Sequence, residues 1–429
     1  MSIDPSSISA KDLETCIRVL SKFKKNEGYL SLESVEYQRI EPLIKNLFHI
    51  GQRFKDECHR KQPIHKDKKT RKQNYLLRLG RVKQVQLENV ILPDEIESSS
   101  TYTCYICKLE YETSHFFYDQ LCPSCAKFNY EKRTQTTDLS NLIALVTEGR
   151  AKIGYRIILK LLRANCFVIT ITRFPLDLLH CLNKESDFDQ WKDRVHIYTV
   201  DFRYSQWIEM FTRMLIEKYD KLDFLINNAC QTNQQHEQLS ISHSLLPDDQ
   251  QKILNGNLQF ALISNSIINQ TTNSRVLRLD EISTNEINEV LTINTLAPFI
   301  LSSKLKILMD DKHPNRESIK FIINVSTMES SFSCSSKTDL HPHINAAQAA
   351  LNMMTRTSAI DYKQSNIYMV SVDAGRIDDQ AMKAPLDDED AAARILDPII
   401  HTYEQLAQGK TDFHIPYGCF LKDYHICDW

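Results

Sequence analysis
From Leu139 onward, short apolar runs alternate with amphipathic stretches. LIALVT (142–147), CFVITIT (166–172), VHIYTVDF (195–202), LDFLINNA (222–229), FIINVST (321–327) and YMVSVDAG (368–375) read as strands. Helical spacing predicts a helix from about Ile153 to Ala164, another over WIEMFTRMLIEKY (207–219) and a long one over AALNMMTRTSAIDY (349–362). INTLAPFI (293–300) reads as lying inside a further helix. Strand runs this apolar are buried on both faces, so the pattern predicts an α/β fold, a doubly wound parallel sheet with helices on both sides. Residues 231–285 interrupt it with polar, Asn/Gln-rich sequence, read as an insertion of loops with one or two short helices. Upstream, Leu13, Cys16, Ile17, Leu20 and Phe23 recur at helical spacing over 9–25, and Ile40, Leu43, Ile44, Leu47 and Phe48 over 32–57. The predicted organisation is a helical region with a basic segment (1–95), a small cysteine module (96–135) and the α/β domain (136–429).

Charge changes little in this picture. A formal net charge of -3, 42% hydrophobic and 25% charged residues suit a soluble globular protein and give no global attraction to nucleic acid or membrane. The longest apolar runs are strand-length, and the first residues lack the apolar core of a secretory signal, so a cytoplasmic protein is expected, with the nucleus as the other compartment. Residues 59–83 concentrate Lys and Arg, among them Lys66, Lys68, Lys69, Arg71 and Lys72. A solvated helix face with a linker is the favoured reading, and a localisation or nucleic-acid patch is the other. Tyr75 alone interleaves an aromatic ring with these charges, which argues against single-strand binding.

Twelve cysteines matter more, because four of them form CYIC (104–107) and CPSC (122–125). Each pair lets two thiolates converge on one ion, and fourteen residues between the pairs suffice for the chain to return. Four sulfurs in a tetrahedron suit a structural zinc with no open position, so Cys104, Cys107, Cys122 and Cys125 are the metal candidates. Two chance pairs or a redox dithiol are the alternatives. Tyr111, Phe116, Phe117 and Tyr118 are expected to form a small core around the site, and His115 lies either beside the ligands or on the surface.

Within the α/β region, the first strand runs through the turn TEGRAKIG into a helix, the arrangement that sets a diphosphate on a helix N-terminus. Asp201, in VDF, stands at a strand end, where a carboxylate can meet an adenine amine. NNAC, INTLAPFI, NVST and VDAG then follow in order. In this sequence of motifs residues 139–429 resemble the short-chain dehydrogenase/reductase family of Rossmann proteins. The cysteine module and the closing GCFLKDY resemble a subgroup with such a zinc module. The resemblance implies a nicotinamide dinucleotide cofactor and oxidoreduction of a carbonyl or alcohol. It also implies pairing of copies through long helices, a role open to AALNMMTRTSA, whose apolar content core burial explains equally.

Mapped residue by residue, the family's T-G-x-x-x-G-x-G turn falls on Thr147 to Gly154. Thr147 and Gly154 match, and Gly149 can keep the turn tight. Lys152, beside Ile153, replaces one family glycine and adds a cation, whereas Glu148 replaces another and adds a carboxylate. A carboxylate about 5 Å from a phosphate charge costs about 3 kcal/mol at an effective dielectric near 20. Half of that is about a tenfold loss of affinity. Alternatively Glu148 points outward or pairs with Arg150 or Lys152. Arg173, after the second strand, stands where a base favours NADP over NAD, and a plain surface arginine is the other reading. Asn228 belongs to the family's N-N-A-G strand end, whose glycine is Cys230 here.

The resemblance makes Asn294 the asparagine that holds a relay water and puts Thr327 at the catalytic serine position. It puts Ile344 at the tyrosine position and Gln348 at the lysine position of Y-x-x-x-K. Isoleucine has no proton to give, and glutamine has no charge with which to lower a phenol pKa. The expected function is therefore a binding or scaffold protein with NADP affinity weak or lost, its ligand a small molecule or a protein partner. Two alternatives stay open. One is an NADPH-dependent oxidoreductase with another acid, Thr327 or His343; the other is a nucleic-acid adaptor built on the zinc module. Rescue by His343 needs the helix to begin later and the imidazole to swing in.

Overall fold
The computed structural model describes residues 95–150, 152–229, 276–310, 318–334, 337–377 and 384–429, with side chains from residue 101 onward. The helices expected at 9–25 and 32–57, the basic segment 59–83, Cys230 and most of the 231–285 insertion lie outside the described residues.

Two antiparallel strands, β1 (Glu95–Thr103) and β2 (Glu110–His115), open the described chain, and α1 (Pro123–Thr134) follows. Proline at the first turn of α1 removes an N–H that would have no helical partner there. Eight further strands form one sheet: β3 (Ile143–Thr147), β4 (Phe167–Thr172), β5 (Val195–Thr199), β6 (Phe224–Asn227), β7 (Lys320–Ser326), β8 (Ile367–Asp373), β9 (Phe420–Lys422) and β10 (His425–Cys427). Their order is β10-β9-β8-β7-β6-β3-β4-β5, and every pair is parallel except the β9–β10 hairpin. All six predicted strands are present. This is a Rossmann sheet, and its order reverses between β3 and β6, which opens a crevice outside the carboxyl ends of those strands.

Among the described residues, seven helices of eight residues or more accompany the sheet: α2 (Lys152–Arg163), α3 (Pro175–Leu182), α4 (Ser205–Lys218), α5 (Thr284–Leu291), α6 (Ala297–Met309), α7 (Pro342–Lys363) and α8 (Asp388–Ala407). On one face Ile157, Ile158, Leu161 and Leu162 of α2 meet Ala391, Ile395 and Ile399 of α8 over Val146, Ile226 and Ile323. On the other, Ile208, Phe211 and Leu215 of α4 and Leu301 and Leu305 of α6 cover Leu145, Leu225 and Ile322. Alternate strand residues thus feed two cores, each large side chain contributing about 1.5–3 kcal/mol on burial. Thr284–Met309 is long and apolar enough to cross a membrane, although no single apolar run in the sequence exceeds strand length. Half of that window is buried, as in a helix packed on a core.

His196, on the edge strand β5, carries the clearest acid sensitivity. Its Nδ1 lies 2.6 Å from the Tyr219 hydroxyl, and its ring meets Phe167 edge-on at 4.7 Å. Burial pushes the imidazole down to about 4, and Lys218 adds to the shift. The unfolded chain, with histidine near 6.5, binds the extra proton first, so stability falls as pH drops from about 6.5 to about 4. The loss is on the order of 2 kcal/mol once partial exposure is allowed for. His196→Gln should flatten that stretch of a denaturation-versus-pH curve; an unchanged slope would show that other groups set it.

Candidate functional site
The turn after β3 is fastened from both sides. The Thr147 hydroxyl accepts from the N–H groups of Asn228 and Ala229, both at 2.9 Å. Asn228 Nδ2 donates to the carbonyls of Thr147 (3.2 Å) and Glu148 (3.4 Å), and the Gly149 N–H donates to the Ile171 carbonyl at 3.1 Å. Neither glycine has room for a side chain. A Cβ on Gly149 would stand 2.1 Å from the Thr170 hydroxyl, and one on Gly154 would stand 2.2 Å from the Glu148 carbonyl oxygen.

Glu148 and Lys152, which replace two family glycines, both have positive φ, 53° and 30°. The backbone keeps a glycine-type turn with side chains that disfavour it, at about 1–3 kcal/mol each. Arg150 approaches Asp177 at 3.4 Å and lies over the Phe174 ring at 5.1 Å. Burial pushes the Glu148 carboxyl up, and Arg173 and Arg150 pull it back. Arg173 also lies over Phe174, at 5.4 Å. Lys152 is exposed at the start of α2, and Ile153 packs against the core. Asp201 is buried two residues past β5, where its oxygens accept from the Arg203 backbone N–H and from its Nε and Nη2. That local clasp, two residues along, was not predicted.

The four positions that the resemblance marks lie just past β7 (Thr327), on α7 (Ile344 and Gln348) and in the turn between α5 and α6 (Asn294). The Thr327 hydroxyl donates to Gln348 Oε1 at 2.8 Å. Ser326 turns the other way, to Ser330 at 3.1 Å, as strand alternation predicts. Ile344 is buried against Val290 and Ala347. Asn294 is buried in a π turn, Thr292–Leu296, that joins α5 to α6. Such turns often mark functional sites, and nothing in the composition signals this one. Thr295 ties it to α7 through the Ala347 carbonyl at 2.8 Å.

His343 lies elsewhere than a rescue would need. α7 begins at Pro342, so His343 is already inside the helix and buried, with Nε2 3.8 Å from Glu286 of α5. Burial pushes its imidazole down, against the pull of Glu286. His341, with φ 43°, meets the Glu329 carboxylate at 2.8 Å.

Beneath the crevice runs a buried polar chain that the sequence did not reveal. Asn227 Nδ2 donates to Asn324 Oδ1 (2.8 Å), Asn324 Nδ2 to the Thr355 hydroxyl (2.8 Å), and the Ser371 hydroxyl to Thr355 (3.0 Å). It locks β6, β7, β8 and α7 in register where the site is built. Two asparagines at the ends of apolar strands were the available signal.

The cysteines converge. Their four sulfurs lie within 4.8 Å of one another, and Cys107 and Cys122 are 3.6 Å apart. A tetrahedral site with bonds of about 2.3 Å has edges of about 3.8 Å. Tyr111, Phe117 and Tyr118 are buried around them with Phe116 alongside. His115 is buried rather than on the surface, its Nδ1 accepting from the Phe117 N–H at 3.1 Å. The module docks on α8, a helix that the sequence analysis did not assign. Arg133 meets Asp387 (2.5 Å) and Asp390 (2.9 Å), Tyr118 donates to Asp390 (2.5 Å), and Lys132 meets Asp397 (2.6 Å). Asp387 also caps α8 by accepting from the N–H groups of Glu389 and Asp390.

The model of the short chain dehydrogenase family matches residues 142–263. Uncharacterized protein R665 of Acanthamoeba polyphaga mimivirus is 28% identical over 358 residues, 74% of this chain and 75% of that protein. Among solved structures, an NADPH-bound carbonyl reductase from chicken fatty liver is 18% identical, with a TM-score of 0.47 over 68% of this chain and 100% of that one. The RhlG/NADP active-site complex of Pseudomonas aeruginosa is 16% identical, with a TM-score of 0.46 over 66% of this chain and 95% of that one. By its family match and by its motifs, which stand in the family's order along a Rossmann sheet, the α/β domain of this chain is similar to the short-chain dehydrogenase/reductase family.

Proposed function
We propose that this chain uses a short-chain dehydrogenase/reductase crevice to bind rather than to turn over, as a binding or scaffold protein with weak NADP(H) affinity. One observation carries the reading: hydrocarbon stands at the tyrosine position, and the neutral amide at the lysine position already holds the Thr327 hydroxyl. A carbonyl oxygen placed beside Thr327 meets a hydroxyl but no group able to release a proton near neutral pH. Assaying NADPH consumption against a panel of aldehydes and ketones tests this directly.

The turn after β3 suits a dinucleotide in its backbone and opposes one in its charge. The glycine-type turn and the α2 N-terminus suit a diphosphate, whereas the Glu148 carboxylate opposes one and Asp201 is already engaged by Arg203. When bound, NADPH supplies hydride; Thr147, Gly149, Gly154 and Asn228 would shape its seat, and Lys152 and Arg173 would face its phosphates. Glu148→Gly should therefore tighten NADPH by about tenfold in a fluorescence titration. Equal or weaker binding by the variant would assign Glu148 no part in that weakness.

The four thiolates fit a structural zinc held by Cys104, Cys107, Cys122 and Cys125, with no position left for substrate. A second copy of the chain is the proposed partner. Leu296 of the π turn, Phe299 and Ile307 of α6, and Met353 and Ile360 of α7 are exposed, and Lys306–Asp361 (2.8 Å) holds the two helices side by side. Light scattering should give a dimer that Phe299→Asp splits; a wild-type monomer at micromolar concentration would contradict the pairing.

A further inference from the structure
We propose that metal loading of the four-cysteine module sets the position of the chain leaving β8, and so shapes one wall of the crevice. The proposal rests on reading the cysteine cluster as a metal site. Residues 374–377 leave the carboxyl end of β8, the side on which the crevice opens.

Three contacts join this stretch to the module. Tyr105 lies between Cys104 and Cys107, and its hydroxyl accepts from the Arg376 N–H at 3.0 Å. Asn129 donates to the Cys125 carbonyl (2.7 Å) and accepts from Arg394 Nη2 (2.7 Å). Arg394 has a side chain only 1% exposed, and its Nη1 is 3.7 Å from where a Cβ on Gly375 would stand. Leu386 belongs to the core of the module, and its Cδ1 comes within 2.6 Å of that same point.

Gly375, at φ 86°, is thus wedged between Arg394 and Leu386, in a backbone conformation that side chains rarely adopt. Two of the three contacts begin at a metal-ligand residue or its immediate neighbour. A tetrahedral ion fixes the backbone frames of Cys104 and Cys125, which aims Tyr105 and Asn129. Without it, four converging thiols have no reason to hold those frames, and both struts lose their anchor.

Hydrogen exchange on the full chain tests the coupling, comparing protein as purified with protein treated with a chelator, and metal content measured for each. In the chelated protein, exchange across 374–377 should rise at least tenfold while the β4 peptide keeps its rate. In metal-loaded Tyr105→Phe, the Arg376 amide should exchange faster to a similar degree, with metal content unchanged. If chelation speeds exchange in α1 but leaves 374–377 at the loaded rate, the coupling is wrong although the metal site stands. If chelation releases β4 as well, metal-loaded Tyr105→Phe decides alone, and an unaltered Arg376 amide overturns the proposal. Protein purified from zinc-containing medium with no bound metal overturns the metal reading, and the proposal with it.

Discussion

Cys104→Ser should empty the four-thiolate cluster and unfold the segment from β1 to α1. Apparent zinc binding in small zinc-finger peptides is worth about 10–16 kcal/mol at neutral pH, and that energy is folding energy. The module's core is small: Tyr111, Phe117, Tyr118, Leu121, Ala126 and Leu386 supply most of its buried apolar surface. The loss reaches the α/β domain through α8. Asp390 is 1% exposed and accepts from both Arg133 and Tyr118, so displacing the module strands a buried carboxylate. Breaking a buried pair from one side typically costs about 3–5 kcal/mol. Cys104→Ser should therefore drop metal content from about one zinc per chain to near zero. It should also lower the melting temperature by about 10 °C or more. A variant that keeps its metal, or melts within about 2 °C of the parent, would remove the cluster's structural role.

Restoring the family pair should create activity. Ile344→Tyr with Gln348→Lys puts an ionisable phenol and a cation one helical turn apart on the same face of α7. The change also frees Thr327, because an ammonium group cannot accept the hydroxyl proton that Gln348 Oε1 now takes. General acid catalysis of this kind is worth about 10²–10⁴-fold, and the double variant should exceed the parent by that order. Ile344→Tyr alone should gain less, because without the lysine its phenol keeps a high pKa. The cost is crowding against Val290 and Ala347, about 1–3 kcal/mol, so folding must be checked by circular dichroism before the rates are compared.

Why some of this was legible in the sequence and some was not follows from the range of each signal. All six predicted strands were found because runs such as FIINVS are apolar on both faces. β9 and β10 have three residues each, too few to show a period. α8 carries Asp388, Glu389 and Asp390 in its first turn and Pro398 inside it, features that mask an otherwise apolar face. The cysteine spacing pointed to convergence, but the docking did not show, since Tyr118 and Asp390 are 272 residues apart. Glu148 and Lys152 carried no sign of positive φ, because the residues that usually announce it had been replaced. Arg203, two residues from Asp201, was local enough to notice; the strand-end position of the aspartate drew attention to an adenine instead.

The loss of the proton donor is the claim on which the functional reading depends. Its most direct measurement is NADPH consumption by the purified wild-type chain at saturating carbonyl substrate, beside Ile344→Tyr/Gln348→Lys prepared in the same way. The account predicts no rate above the protein-free control for the wild type and a clear rate for the double variant. Steady wild-type turnover that disappears in Thr327→Val, with the fold intact, would contradict it.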